Sequence, residues 1–186
     1  SEHDGRPAFA ATPADFAVVE AIREIKARDL KVTLSPVVLM HIRAGNALPN
    51  PYSNNASEIG QPAYLPASEL SCSPAPGYLG SVDKTSAAAG QVASILGAAD
   101  AADFASVGEA VAWTGASDDW GLRRFVLQYA WLASVAGGVD GFLIGSGLGG
   151  LTTIRADATT YPAVAELRAL ADDVRTVLGD QTAISY

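Results

Sequence analysis

The run from Ala136 to Thr152 constrains this chain more than any other. Gly137-Gly138 closes a helical pattern, Val139, Phe142, Leu143 and Ile144 then make a strand apolar on both faces, and Gly145, Gly147, Gly149 and Gly150 break it. A strand with no polar face has to be covered on both sides, as in a parallel sheet flanked by helices. Gly145, Gly147 and Gly150 also spell G-x-G-x-x-G, the dinucleotide-binding fingerprint. The same run reads equally as the end of a barrel strand.

The nucleotide reading requires the glycines to open directly into a helix whose N-terminus meets the pyrophosphate. Here the next helical pattern starts at Tyr161-Pro162, about ten residues past Gly150, and the polar residues 152–160 predict a loop. The strand expected over 182–186 offers no acid for a ribose hydroxyl. Two of the three contextual requirements fail, so a nucleotide-binding α/β protein stays only as an alternative.

The rest of the chain alternates helices and strands. Thr12, Pro13 and Asp15 predict a helix start, with the Thr12 hydroxyl as cap and Pro13 at the first position. Phe16, Val19, Ile22 and Ile25 supply its expected buried stripe, and residues 31–38 read as a β-branched strand. Residues 84–96 predict an alanine-rich helix closed by Gly97, and residues 105–114 a small hairpin around Gly108-Glu109. Asp118 or Asp119 is expected to cap a strong helix that buries Leu122, Phe125, Val126, Tyr129, Leu132 and Ala136. The last helix, from Pro162 to Leu178, is expected to bury Val164, Leu167, Leu170, Val174 and Val177. Three main strands can be counted, less than half of an eight-stranded α/β barrel. Residues 40–83 carry no sustained period. They read as a long insertion, ordered and functional, with Tyr52, Tyr64 and Tyr78.

Composition narrows the function. The chain has 186 residues, 49% hydrophobic and 17% charged, which suits one globular domain. A net charge of −8 repels nucleic acid. Two histidines, His3 and His41, and one cysteine, Cys72, exclude an internal disulfide and argue against a Cys/His zinc site. Asp100, Asp103, Asp118 and Asp119 lack calcium-loop spacing, so neither metal nor cofactor is expected. There is no apolar run of membrane-span length and no signal-peptide pattern. The opening residues suggest a piece of something longer.

Several segments resemble the glycoside-hydrolase TIM-barrel-like domain of tail-tip, or host-specificity, proteins of gene transfer agents and tailed phages. They are residues 44–51 (Ala-Gly-Asn-Ala-Leu-Pro-Asn-Pro), 120–127 (Trp-Gly-Leu-Arg-Arg-Phe-Val-Leu), 136–146 (Ala-Gly-Gly-Val-Asp-Gly-Phe-Leu-Ile-Gly-Ser), 161–164 and 167–179. The resemblance implies a partial (β/α)8 barrel, about strands three to five, with parallel strands and covering helices over residues 1–186. It implies a cell-envelope glycan as substrate class, other tail proteins as partners, and synthesis in the bacterial cytoplasm followed by assembly into a phage-like particle. The family pattern after the central strand is similar to Gly-Ser-Glu-(Leu/Met)-Arg-Gly-Leu-Thr. Here Gly147 stands in the glutamate's place and Gly149 in the arginine's. Glycoside hydrolysis needs one carboxyl to protonate the leaving oxygen and a second on the opposite face. Gly147 has no proton to give, so the expectation is a structural or glycan-contacting module without catalysis in this chain. The alternative is a glycoside hydrolase in a longer parent, drawing its acid from Glu58 or Glu69.

Ends of barrel strands place Met40, His41, Ser146 and Tyr186 as candidate substrate contacts. The bland readings are a loop histidine bonded to backbone for His41 and a capping hydroxyl for Ser146. Trp113 is the candidate exposed aromatic, whereas Trp120 and Trp131 are expected to pack. Asp140 reads as stabilising at the strand's start, and Glu166, Asp172 and Asp173 as solvated. Open sheet edges predict self-association.

Overall fold

The computed structural model describes residues 2–3, 6–7, 12–39, 45–55, 57–58 and 70–186. The chain divides into two compact units. The first comprises Ser1–Pro36, Gly97–Gly145 and Arg168–Tyr186, and the second Val37–Leu96 and Ser146–Leu167.

The first unit begins with an antiparallel pair, β1 (Glu2–His3) and β2 (Arg6–Pro7). Helix α1 (Asp15–Lys26) starts later than expected: its N-cap is Ala14, with no side-chain bond from Thr12 or Pro13. Only Val19 and Ile22 of α1 are buried, while Phe16 is 72% exposed and Ile25 lies at the surface, so the expected four-residue stripe is two residues long.

Strand β3 (Thr33–Leu34) opens a parallel sheet. Beyond it in this unit come the hairpin β4 (Phe104–Val107) and β5 (Ala110–Trp113), and helix α3 (Leu122–Val135). Strands β6 (Gly141–Leu143) and β7 (Ala183–Ser185) complete the sheet in the order β3-β6-β7. All pairings are parallel, with Leu34 opposite Phe142 and Phe142 opposite Ile184. The sheet is open, not a closed barrel. Its central Phe142 is fully buried, as a strand apolar on both faces requires. The hairpin turns on Gly108-Glu109 as expected, and Gly108 takes the positive φ that a two-residue turn with glycine first demands.

Helix α3 buries Leu122, Val126, Leu127, Ala130, Leu132 and Ala133. Phe125 and Tyr129 are half-buried and pack edge to face with centroids 5.2 Å apart. Leu122, Val126, Leu132 and Ala136 are thus buried as expected, and Leu127, Ala130 and Ala133 complete the face in place of Phe125 and Tyr129. Neither Asp118 nor Asp119 caps the helix, whose N-cap is Gly121. Instead the Asp119 carboxylate accepts from Gly121 N at 2.9 Å and Ala98 N at 2.8 Å, tying the turn at Gly97 to the helix start. Gly97 must be glycine: φ is +77°, and a Cβ would lie 2.5 Å from Asp119 Oδ1.

Helix α5 (Pro162–Leu178) buries Ala163, Leu170 and Val174, while Val164 is 52% exposed. Asp173 is not solvated, as the sequence suggested. It forms an ion pair with Arg123 of α3, a side chain only 8% exposed, whose Nε also donates to Ala99 O at 2.7 Å. Asp172 is exposed.

The second unit carries α2 (Ala87–Leu96), α4 (Gly149–Thr152) and the first residues of α5. Cys72, Ala75, Ala88, Val92, Leu96, Leu148, Leu151, Ile154 and Ala163 are its buried apolar residues. Lys84 has a φ of +64°, so α2 starts after it, with Thr85 Oγ1 accepting from Ala87 N. The described part of the long segment is ordered: Ala75 N donates to Pro51 O, Leu79 N to Asn54 Oδ1, and Tyr52 packs on Tyr78 at 5.8 Å.

Removing one partner of a buried ion pair strands the other charge. Asp173→Ala is therefore expected to cost about 2–4 kcal/mol in urea unfolding, while its neighbour Asp172→Ala stays within about 0.5 kcal/mol. Equal losses for the two would contradict the pairing.

Candidate functional site

The segment that follows β6 is the place where an α/β sheet of this kind presents its chemistry. Gly147 sits at φ +68°, and its carbonyl accepts from Leu70 N at 2.8 Å. A side chain at position 147 would be strained in that left-handed backbone, so glycine there is a conformational requirement. Leu148 is buried and anchors the turn.

The expectation of plain loop after the glycines is corrected here. A one-turn helix, α4, begins at Gly149, and Thr152 N donates to Leu148 O at 2.8 Å. A helix start does lie against the glycine cluster, but the space a pyrophosphate would need is filled by the chain itself. A Cβ on Gly150 would meet Ser71 Cβ and Oγ at 2.6 Å and Leu70 O at 3.1 Å. Glycine allows close backbone approach here, and what approaches is residues 70–71. Ser71 Oγ is the buried side-chain atom without a hydrogen-bond partner among the described residues.

Beyond α4, Arg155 and Asp83 form a bidentate pair. Arg155 Nη2 donates to Asp83 Oδ2 at 2.7 Å and Nε to Oδ1 at 3.1 Å, and Arg155 N adds a bond to Oδ1 at 2.8 Å. The Lys84 amide donates back to Arg155 O at 2.7 Å. The Arg155 hydrogen bonds hold Asp83 below the ordinary carboxylate range against the opposing effect of burial. Asp157 is lowered by the Thr159 and Thr160 amides and the Thr160 hydroxyl, which close the turn before α5.

Met40 and His41 lie outside the described residues, as do Tyr64 and Glu69. Ser146 is exposed in the second unit, and its hydroxyl has no hydrogen-bonded base among the described residues. Tyr186 follows β7 in the first unit, 57% exposed. Glu58 bonds the Ser53 hydroxyl and, at 3.0 Å, Asn50 Nδ2, and these contacts lower its pKa. A general acid needs the opposite shift. Asp119 is lowered as well, its backbone N–H bonds outweighing burial. Every carboxyl with a displaced pKa among the described residues is thus displaced toward permanent ionisation. Among those residues no three His, Cys, Asp or Glu side chains group around a metal-sized site, and no helix is long and apolar enough to cross a membrane. The contacts of Gly147 and Gly150 with Leu70 and Ser71 and the Asp83–Arg155 pair have no signal in the sequence, because nothing in local spacing announces a partner so far along the chain.

Parallel strands joined through covering helices, with a glycine-built turn after the central strand, define an α/β module of TIM-barrel-like kind. Residues 120–186 match the family model of the GTA (gene transfer agent) TIM-barrel-like domain, a stretch that spans α3, β6, α4, α5 and β7. The resembling residues 44–51 fall outside that match. No curated protein matches the chain.

Two outcomes test this geometry. Gly150→Ala is expected to lose about 1–3 kcal/mol through overpacking against Ser71, whereas Gly149→Ala, with open space around its Cβ, is expected to be neutral or stabilising in the same thermal melts. Asp83 has a lowered folded-state pKa, so its contribution is full above the ordinary aspartate value and fades as pH falls through the folded one. The stability gap between wild type and Asp83→Asn should accordingly be wide near neutral pH and narrow in acid. A gap that widens in acid would contradict the pairing.

Proposed function

We propose that this chain belongs to the tail tip of a phage-like particle, where its TIM-barrel-like segment is structural or contacts cell-surface glycan and cleaves nothing itself. The observation that carries this reading is Gly147. It stands where the resembling family places its acid, in a backbone conformation that disfavours any side chain, within the stretch that matches the GTA domain. The tied, ionised state of Glu58, Asp83 and Asp157 supports the non-catalytic part.

The partners proposed are other tail proteins and an envelope glycan, with His41, Met40, Ser146 and Tyr186 as candidate contacts. Assembly follows synthesis in the bacterial cytoplasm. Among the described residues, strands β3 and β7 are each paired on one side in the sheet, which supports pairing with a second copy. Glycoside hydrolysis in a longer protein, with Glu69 as donor, is the competing reading.

Incubation with purified peptidoglycan separates the two. The expected result is retention of the chain on the insoluble glycan with no release of new reducing ends. Release that disappears in Glu69→Gln would establish the hydrolase instead. Immunogold labelling of purified particles should decorate the tail tip, and absence of label from particles would remove the assembly role.

A further inference from the structure

We propose that the groove between helix α1 and the turn of the β4–β5 hairpin is a docking site for an arginine-bearing segment of another protein. The groove stands on its own chemistry, whether or not the chain contacts glycan.

The groove lies within the first unit and has a volume of about 350 Å³, at the small end of the range for ligand sites. Phe16, Val19, Glu20, Arg23 and Glu24 of α1 line it, with Glu109 of the hairpin turn. Val19 is its buried apolar base, while Phe16 is 72% exposed. One wall is fixed. Arg23 Nη1 donates to Glu109 Oε1 at 2.6 Å and Nη2 to Val135 O at 3.1 Å, which holds the hairpin turn to α1 and to the end of α3.

That arrangement leaves charge unbalanced. Three carboxylates line the groove against one guanidinium, and that guanidinium is already paired with Glu109. Glu24 has Arg28 at 3.6 Å, an exposed contact within the helix that is worth little. Glu20 has no ion pair among the described residues. Glu20 and Glu24 share one helix face at a spacing where like charges repel until a cation joins them. Phe16 precedes Glu20 by the same spacing, so an aromatic ring and two carboxylates follow one another along the groove. An arginine answers all three. Its guanidinium stacks on an aromatic face, its fork pairs with a carboxylate, and its methylenes cover apolar surface. A lysine ammonium has neither the plane nor the fork.

Charge also selects the class of partner. A net charge of −8 and an acidic groove turn away nucleic acid and anionic lipid surfaces. A small free cation would leave the exposed Phe16 and Val107, the latter two residues before Glu109, open to water. A protein segment with apolar residues beside its arginine covers them.

The test is titration of the whole chain with the peptide acetyl-Leu-Arg-Leu-amide, followed by amide shifts in NMR. It is repeated for the double variant Glu20→Gln/Glu24→Gln and for Phe16→Ala, all at exposed positions. The expected result is saturable shifts at residues 16, 20, 24 and 109, with binding about five- to tenfold weaker in the double variant. Weaker binding is also expected for Phe16→Ala and for the lysine version of the peptide. Absence of binding, shifts confined to other residues, or unchanged affinity in the double variant overturns the proposal. Free arginine amide binding as tightly as the peptide overturns it in favour of a small cation. Shifts at the same amides on concentrating the chain without peptide overturn it in favour of a second copy. Should a variant misfold, contacts between the Phe16 ring and the arginine δ-methylene in nuclear Overhauser spectra of the wild-type complex decide. They are expected, and their absence at saturation overturns the proposal.

Discussion

Asp140 fastens the three parallel strands at one point. Its amide donates to Val32 O at 2.9 Å, its carboxylate accepts from Val32 N at 2.8 Å, and its carbonyl accepts from Ala183 N at 2.9 Å. One residue thereby touches the strands on both sides just before the ladder begins. A parallel ladder begins with backbone groups that have no partner directly opposite, and a short carboxylate at this point satisfies the first of them. The neighbours tighten the same region. Lys26 Nζ donates to Gly137 O at 2.6 Å and Gly138 O at 2.9 Å, and Thr182 Oγ1 donates to Val139 O at 3.0 Å. Helix α1, the end of α3 and the start of β7 are all referenced to the start of β6, so the register of β6 and the emergence of its glycine turn follow from that one node.

Charge is used as a bracket inside each unit. Arg123 joins α3 to Asp173 of α5 and to Ala99 O in the first, and Arg155 joins Asp83 to the segment after α4 in the second. Arg123 and Arg155 are placed where they order backbone. The consequence for chemistry is direct: a carboxylate locked to arginine or to amides accepts hydrogen bonds and releases no proton near neutral pH.

Helices α3 and α5, the apolar strand β6 and the hairpin at Gly108-Glu109 were legible because each rests on local signals: period, glycine stops and a two-residue turn. The errors share one cause. Phe16 and Val164 fit a helical period yet face outward, because α1 and α5 meet their neighbours along narrower faces than the period allows. Asp173 sits in an acidic pair on a helix, the usual mark of a solvated surface, and only the approach of Arg123 reverses that. Trp120 looked like a packing residue on a strong helix. Its half-exposed position over Arg124 depends on how the hairpin and Gly115 hold Trp113 beside it.

The sequence alone determined the α/β class, the parallel character of the central strand and the resemblance to the GTA TIM-barrel-like domain, since these depend on residue identity and near-neighbour spacing. Tertiary structure decided what fills the glycine turn and which charges are tied. Those outcomes depend on contacts such as Gly150 with Ser71 and Arg124 with Trp113, where position in space and not in sequence determines the energy.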